Sequence, residues 1–299
     1  MTTTALHDRP AAIWFDGQLV PGPEAKIHVM SHGLHYASSV FEGVRAYGGR
    51  IFKLREHSAR LLASAKMLGF EIPYSVEEID RACTDTLAAA GLEEAYVRPI
   101  AWLGSEDLKV SSHDNRVHLA VGVWPWGSYF APEERMRGIR LNLAPYKRPS
   151  PETAPTAAKA AGLYMICTLS KNQAENAGYQ DALMLDWRGY IAEATGANIF
   201  LIRDGEIHTP TPDCFLNGIT RQTVIALAKD QGLTVHERHI PFDELGTFSE
   251  VFLTGSAAEV TPVREIDCGH QGVYAFTPGK ITQTLLTAYT DAVHAPVEA

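Results

Sequence analysis

The sequence predicts a mixed α/β fold in two domains. A chain of 299 residues is long enough to bury two cores of ordinary size. Amphipathic helical stretches alternate with short strand signals throughout, without repeats or low-complexity tracts. Most of those strand signals are hairpins, and no G-x-G-x-x-G motif is present, which argues against a doubly wound nucleotide-binding sheet.

The elements follow in chain order. Ile13-Trp14-Phe15, a turn at Asp16-Gly17 and Gln18-Leu19-Val20 read as a hairpin. Residues 55–68 read as a helix with Leu61, Leu62, Ala65 and Leu68 on one side. Ser75 and Glu78 have the spacing of a capping box, and Ile79, Cys83 and Leu87 continue a second amphipathic helix. Residues 117–123 form an apolar run suited to a buried strand. Residues 131–155 are rich in charge and proline, and the start of this stretch reads as the connection between domains. A helix is expected around 164–177, followed by hairpins turning at 186–189 and at Asp204-Gly205. Gly218-Ile219-Thr220-Arg221 opens a helix to about Gln231, with Thr220 expected as its N-cap. Residues 251–254 read as an apolar strand ending in Gly255-Ser256-Ala257-Ala258, and 279–289 as a last helix.

Bulk properties narrow the function. A net charge of −9 argues against a general nucleic-acid binder, which needs a basic surface for phosphate contacts. The four cysteines are scattered, with no C-x-x-C pair and no metal-like cluster with histidine, so reduced thiols and a cytoplasmic location are expected, with no metal. The N-terminus lacks a basic segment followed by a long apolar run, and no window approaches the roughly 18 apolar residues of a membrane span.

The most informative stretch is 156–205. It sets Lys159 among small residues (Ala157, Ala158, Ala160, Ala161, Gly162), with Tyr164 five positions on and Glu193 inside the apolar run Tyr190-Ile191-Ala192-Glu193-Ala194. A lysine whose neighbours let a flat ligand come close suggests an amine nucleophile, which condenses with carbonyl compounds once it loses its proton. A pyridoxal-type cofactor needs such a lysine, an acid for its ring nitrogen, and backbone donors at a helix start with hydroxyls and an arginine for its phosphate. Lys159, Glu193, the Gly218-Ile219-Thr220 helix start, Gly255-Ser256-Ala257 and Arg60 are candidates for these. Taken singly, each has an ordinary alternative. Lys159 can be a surface lysine, Glu193 can face solvent by alternation, and G-I-T-R can be plain capping. Arg60 can be a solvated helix arginine, and Tyr164 a half-buried core aromatic.

Segments spread from residue 28 to residue 263 carry a further signal. They include 28–36 (HVMSHGLHY), 40–45 (VFEGVR), 55–57 with Arg60-Leu61, 95–99 (AYVRP) and 124–127 (WPWG). They continue with 155–160 (PTAAKA), 189–193 (GYIAE), 218–221 (GITR) and 255–263 (GSAAEVTPV). In these motifs and their order the chain resembles the branched-chain amino acid aminotransferases, in the fold-type IV class of pyridoxal phosphate enzymes. The resemblance implies a smaller N-terminal α/β domain (1–127), an interdomain loop (128–138) and a larger C-terminal domain of pseudo-barrel type (139–299), with pyridoxal 5′-phosphate between them. It implies that Lys159 carries the cofactor and moves the proton, that Glu193 pairs with the ring nitrogen, and that Tyr164 bonds the ring hydroxyl oxygen. Arg60, Ile219, Thr220 and Ser256 would hold the phosphate, and Leu216 would pack on the ring face.

The same resemblance assigns the substrate side. Phe41, Tyr164 and Trp126 would line an apolar pocket for a branched side chain. Tyr96 and the backbone at Ser256-Ala257-Ala258 would receive the α-carboxylate. Arg98, helped by Tyr36 and Tyr129, would bind the distal carboxylate of glutamate or 2-oxoglutarate. Because an aliphatic chain and a carboxylate would use one pocket in turn, that arginine belongs at the rim, where it is not buried unpaired under leucine. The loop 104–110, with Val110 at the substrate, would reach a neighbouring subunit, making a homodimer the minimum unit. Four departures from the family pattern stand out: Leu163 for a common asparagine, Asn217 for proline, Ser256 for a common threonine with its hydroxyl kept, and Leu108-Lys109 where Met-Gly is frequent. Lys109 either points to solvent or adds positive charge near a substrate carboxylate. The expected reaction is ping-pong transamination of L-leucine, L-isoleucine or L-valine with 2-oxoglutarate. The alternatives on the same fold are D-amino-acid or (R)-amine transaminases, aminodeoxychorismate lyase, and a non-catalytic ligand-binding or scaffold protein, against which the intact lysine, glutamate and phosphate elements argue.

Overall fold

The computed structural model describes residues 12–127 and 136–295, and these divide into two compact units. One runs up to Gly127 and takes in Ala158–Leu163; the other holds the remainder. The expected loop 128–138 lies mostly outside the described residues. The Lys159 segment, expected with the C-terminal domain, packs in the first unit instead. An isolated bridge joins Val40 to Ala160, the Phe41 N–H donates to the Lys159 carbonyl at 3.1 Å, and the Lys159 N–H donates to Ser64 Oγ at 3.0 Å. These contacts are far apart in sequence, so local pattern could not assign the segment.

The strands of the first unit are β1 (Ala12–Phe15), β2 (Gln18–Pro21), β3 (Ser39–Phe41), β4 (Val44–Tyr47), β5 (Arg50–Ile51), β6 (Ala95–Leu103) and β7 (Val117–Pro125). They form an antiparallel sheet in the order β2-β1-β7-β6-β4-β5, with β3 paired beside β4 on β6. The first hairpin forms as expected, because Asp16 and Gly17 supply the positive φ (46° and 100°) that its two-residue turn requires. Helices α2 (Leu54–Met67) and α3 (Val76–Ala90) contribute Leu61, Ala65, Ile79, Cys83 and Leu87 to a core shared with Val97, Leu119 and Val121 of the sheet. The capping box is present in both directions: Glu78 N–H donates to Ser75 Oγ, and Ser75 N–H to the Glu78 carboxylate. A short helix α1 (His32–Tyr36) precedes β3. β6 escapes a pattern reading because Arg98-Pro99 interrupts its apolar run, yet it pairs with β7 along its whole length.

The second unit contains β8 (Ile139–Leu143), β9 (Asp181–Leu185), β10 (Tyr190–Ala194), β11 (Asn198–Arg203), β12 (Glu206–Pro210), β13 (Val235–Arg238), β14 (Ile240–Pro241), β15 (Glu250–Gly255), β16 (Glu259–Asp267) and β17 (Val273–Ala275). Both expected hairpins form, at β9–β10 and β11–β12. The sheet order is β13-β12-β11-β15-β16-β8-β9-β10-β14, and a further pairing of β10 with β11 joins its path back on itself. Six strands (β11, β15, β16, β8, β9, β10) therefore form a closed circuit, the pseudo-barrel, with Leu141, Leu183, Ile199, Leu253 and Val263 in its core. β8 lies in the charged, proline-rich stretch, and its parallel pairing with β9 and β16 leaves no local signature.

Helices α4 (Met165–Asn176), α5 (Ile219–Asp230) and α6 (Lys280–His294) complete this unit; α5 and α6 pack on each other and on β15. The N-cap of α5 is Gly218, not Thr220, and Thr220 is buried in the first turn. Residue 218 is glycine for a steric reason. A Cβ on residue 218 would stand 2.3 Å from Asn198 Oδ1, which accepts the Gly218 N–H at 3.1 Å. Asn217, the residue in place of proline, accepts from Arg221 Nη1 at 2.9 Å and so braces a guanidinium that is 1% exposed.

Two stability changes follow. Ser75→Ala removes the cap and should cost about 1 kcal/mol in urea unfolding. Leu61→Ala leaves a void in the first unit's core and should cost about 2–5 kcal/mol in the same measurement.

Candidate active site

The first unit collects a lysine, two arginines and an aromatic group. β3 and β6 place Phe41 where Lys159 Nζ lies 4.9 Å from its ring centroid and Arg98 Cζ 4.7 Å from it. Arg98 also lies 5.2 Å from the Tyr96 ring centroid and 5.8 Å from that of Trp124, and its Nη2 donates to the Tyr96 hydroxyl at 3.3 Å. Tyr96 itself packs against Trp124 and Trp126, with ring centroids 5.1 and 5.0 Å away. Aromatic faces attract a guanidinium electrostatically and pin it without burying it against an anion. Gly43 makes this packing possible, since a Cβ there would fall 1.8 Å from the Tyr96 hydroxyl. Arg98 pairs in register with Gly122, and both line a cavity of about 380 Å³ with Phe15, Leu34, Ile100 and Trp102. Among the described residues, the buried Nε–H of Arg98 has no hydrogen-bond partner, a deficit an anionic ligand would meet.

Arg60 on α2 is held by Glu42. Its Nε and Nη2 donate to the two carboxylate oxygens at 2.7 and 2.8 Å, and His57 Nδ1 donates to Oε2 at 2.7 Å. Glu42 is fully buried. Burial opposes its ionisation, but the charge and hydrogen bonds of Arg60, aided by His57, prevail and bring its pKa down to about 2. Burial lowers the pKa of His57 against the pull of Glu42, with the Arg60 and Lys159 charges acting in the same direction as burial.

Tyr36 ends α1 and is exposed, its hydroxyl donating to the Leu108 carbonyl at 3.2 Å. His32 Nε2 donates to the Lys109 carbonyl at 3.0 Å while its Nδ1 accepts from Ser38 Oγ at 2.8 Å. Asn115 Nδ2 donates to the carbonyls of Gly104 and Asp107. The loop 104–115 is thus tied down by three side chains, and Val110 stands 81% exposed beyond them. The side chain of Lys109 is exposed and its Nζ lies 2.7 Å from Asp107 Oδ2, so in this chain it is an exposed ion pair.

The second unit brings other candidates together around one amide. Glu193 is 8% exposed despite the alternation that left its face open. It sits past a register shift in the β9–β10 ladder and pairs with Asn198 at the closure of the circuit. Arg148 Nε lies 3.4 Å from Glu193 Oε1, and Asn198 Nδ2 donates to Glu193 Oε2 at 3.3 Å. The same Nδ2 donates to the Leu216 carbonyl at 3.0 Å, and Asn198 Oδ1 receives the Gly218 N–H. One buried side chain therefore fixes Glu193, Leu216 and the start of α5. There the first backbone N–H groups, those of Ile219 and Thr220 among them, lack intrahelical acceptors. Tyr164 ends a 3₁₀ turn and is half-buried. Ser256, Ala257 and Ala258 are the half-buried turn between β15 and β16. Tyr129 lies outside the described residues.

Sequence reasoning assigned no role to Glu42, His57, Ser64, Arg148 or Asn198. Glu42 and His57 lie inside motifs already singled out; Arg148 and Asn198 carry no local signal, because each acts on a residue brought near by strand pairing.

A family model described as amino-transferase class IV matches residues 39–266. A branched-chain-amino-acid aminotransferase of Pseudomonas aeruginosa is 41% identical over 299 residues, covering 99% of this chain and 97% of its own length. The chain belongs to the branched-chain-amino-acid aminotransferases of class IV. The fold agrees with that family. The branched-chain aminotransferase of Escherichia coli superposes with a TM-score of 0.91 at 37% identity over 97% of both chains. The branched-chain aminotransferase of the thermophilic archaeon Thermoproteus uzoniensis, solved with norvaline, superposes at 0.89 with 36% identity over 95% of this chain and 94% of that one. Another solved branched-chain amino acid aminotransferase, from T.th., holds pyridoxamine 5′-phosphate and superposes at 0.90 with 39% identity over the same shares of the two chains.

Two predictions concern this aminotransferase. Gly43→Ala should displace Tyr96 and disturb Arg98, lowering activity more than global stability when the two are measured together. Acid should destabilise the enzyme in two windows. His57 is neutral when folded, so its contribution is present above its unfolded value of 6.5 and is lost as pH falls below it. Glu42 contributes above its unfolded value of 4.5, and that is lost as pH falls toward about 2. Urea unfolding between pH 7 and pH 3 should show both losses.

Proposed function

We propose that this aminotransferase moves the amino group of L-leucine, L-isoleucine or L-valine to 2-oxoglutarate in two half-reactions, using pyridoxal 5′-phosphate. The observation that carries the reading is Arg98, pinned among Phe41, Tyr96 and Trp124 at the edge of an apolar cavity. A guanidinium so placed meets the distal carboxylate of glutamate and leaves apolar surface for an aliphatic chain. The bound cofactor supplies the electron sink for the substrate carbanion.

The chain's own residues do the rest. Lys159 attaches the cofactor aldehyde through its amine and moves the α-proton. Glu193, its charge offset by Arg148, would accept a hydrogen bond from the ring nitrogen and keep it protonated. Tyr164 bonds the ring oxygen, and Leu216 covers the ring face. Arg60, the N–H groups of Ile219 and Thr220, and Ser256 take the phosphate. The donor set fits such a group: an amine, a buried carboxylate beside a cation, and a helix start where a Cβ is sterically barred. Tyr96 and the Ser256-Ala257-Ala258 turn receive the α-carboxylate, while Phe41, Trp126, Tyr36, Tyr129 and Val110 shape the side-chain pocket. The exposed Val110 loop suits a homodimer in which each copy completes the other's site, and four buried free cysteines suit a reducing cytoplasm.

Borohydride treatment should bleach the yellow protein and fix the cofactor to Lys159, found by peptide mapping; Lys159→Ala that still transaminates at the wild-type rate would refute the assignment. L-leucine and L-glutamate should each convert the cofactor to its pyridoxamine form. Conversion by D-amino acids or (R)-1-phenylethylamine alone would favour the other branch of the fold. Arg98→Ala should lower kcat/KM for 2-oxoglutarate on the order of a hundredfold, the size of a lost charge pair, and far less for branched-chain 2-oxo acids.

A further inference from the structure

The first unit contains a buried anion with no part in the reading above. Glu42 is fully buried, lies beside the Phe41 that packs on Lys159 and Arg98, and commits both oxygens to Arg60 and His57. Its backbone is fixed too, for its N–H donates to the Pro99 carbonyl of β6 at 2.8 Å. A carboxylate this deeply buried is costly to desolvate and must be compensated by geometry and charge. Arg60, the partner, sits on α2 with part of its side chain exposed.

We propose that Glu42 is a positioning residue for phosphate binding: it locks the plane of the Arg60 guanidinium so that the cofactor phosphate meets a preformed arm. The inference rests on the reading of Arg60 as a phosphate ligand. Its physical basis is a competition between two effects. An anion beside Arg60 weakens the Coulomb attraction for a phosphate. Against this, an arginine side chain carries about 2 kcal/mol of rotamer entropy, and holding it in place before the ligand arrives removes that cost from binding. The two-point contact at 2.7 and 2.8 Å fixes both position and plane, which a single hydrogen bond would not. His57, donating to the same carboxylate, keeps Oε2 from turning away. Glu42 thus acts through Arg60 and does not touch the cofactor.

The test compares pyridoxal 5′-phosphate with pyridoxal, which lacks the phosphate, by titrating each into apo-enzyme and following absorbance. Glu42→Gln should weaken pyridoxal 5′-phosphate at least about tenfold, which is ~1.4 kcal/mol, and leave pyridoxal unchanged. Glu42→Asp, which keeps the charge but is too short for the same two-point contact, should behave alike. In an Arg60→Ala background, Glu42→Gln should cost nothing further. Unchanged or tighter phosphate binding in Glu42→Gln would overturn the proposal, as would equal weakening of both compounds. So would the same loss with and without Arg60, or a failure of both Glu42 variants to fold when Arg60→Ala folds. If Arg60→Ala itself leaves pyridoxal 5′-phosphate affinity untouched, the phosphate reading of Arg60 falls and takes this inference with it. An effect of Arg60→Ala without one of Glu42→Gln removes the inference alone.

Discussion

The architecture of the second unit depends on one antiparallel contact, Glu193 opposite Asn198, where β10 meets β11 and the strand circuit closes. Closing a sheet on itself removes the open edges that would otherwise need covering. Here the closing contact also holds the unit's most consequential polar group. A carboxylate at this seam is shielded from water, so it requires donors, and Asn198 and Arg148 supply them from neighbouring segments. The same amide then reaches the Leu216 carbonyl and the Gly218 N–H, so the seam, Leu216 and the start of α5 are placed by one side chain. This explains why residue 218 is glycine without appeal to unusual backbone torsion: its φ of −60° is ordinary, and the space is what is missing.

The first unit solves a related problem with opposite charges. Three consecutive residues divide the work. Phe41 offers its ring to Lys159 and Arg98, Glu42 holds Arg60 and His57, and Gly43 leaves room for the Tyr96 hydroxyl. Arg98 and Arg60 therefore have two different environments, one aromatic and one ionic. Aromatic faces pack around the Arg98 guanidinium. The buried carboxylate instead engages Arg60 through two hydrogen bonds.

Hairpins, amphipathic helices and the capping box were legible because their signals are local. Asp16-Gly17 and Asp204-Gly205 encode turns within a few residues, and Ser75 with Glu78 encodes a helix start. What local pattern missed or left open shares a cause. Thr220 has the right chemistry for an N-cap, but the contact that sets the cap comes from Asn198, about twenty residues upstream. Glu193 fits a solvent-facing alternation until the strand circuit encloses it. Residues 139–143 carry no strand signal of their own because their pairing depends on parallel neighbours. Arg98-Pro99 hides the central strand of the first sheet for the same reason.

Residue types and their spacing carry the chemistry: a lysine among small residues, an acid, a helix start for an anion and an arginine, in an order that marks the family. Those properties survive without a fold. How the groups are held is a matter of tertiary contacts alone. These moved the Lys159 segment into the first unit, buried Glu193 at a seam, set Lys109 against Asp107 in solvent, and gave Arg60 its partner in Glu42. Each of these outcomes depends on contacts between distant residues and on which groups lose water, and neither quantity is written in the neighbourhood of any one residue.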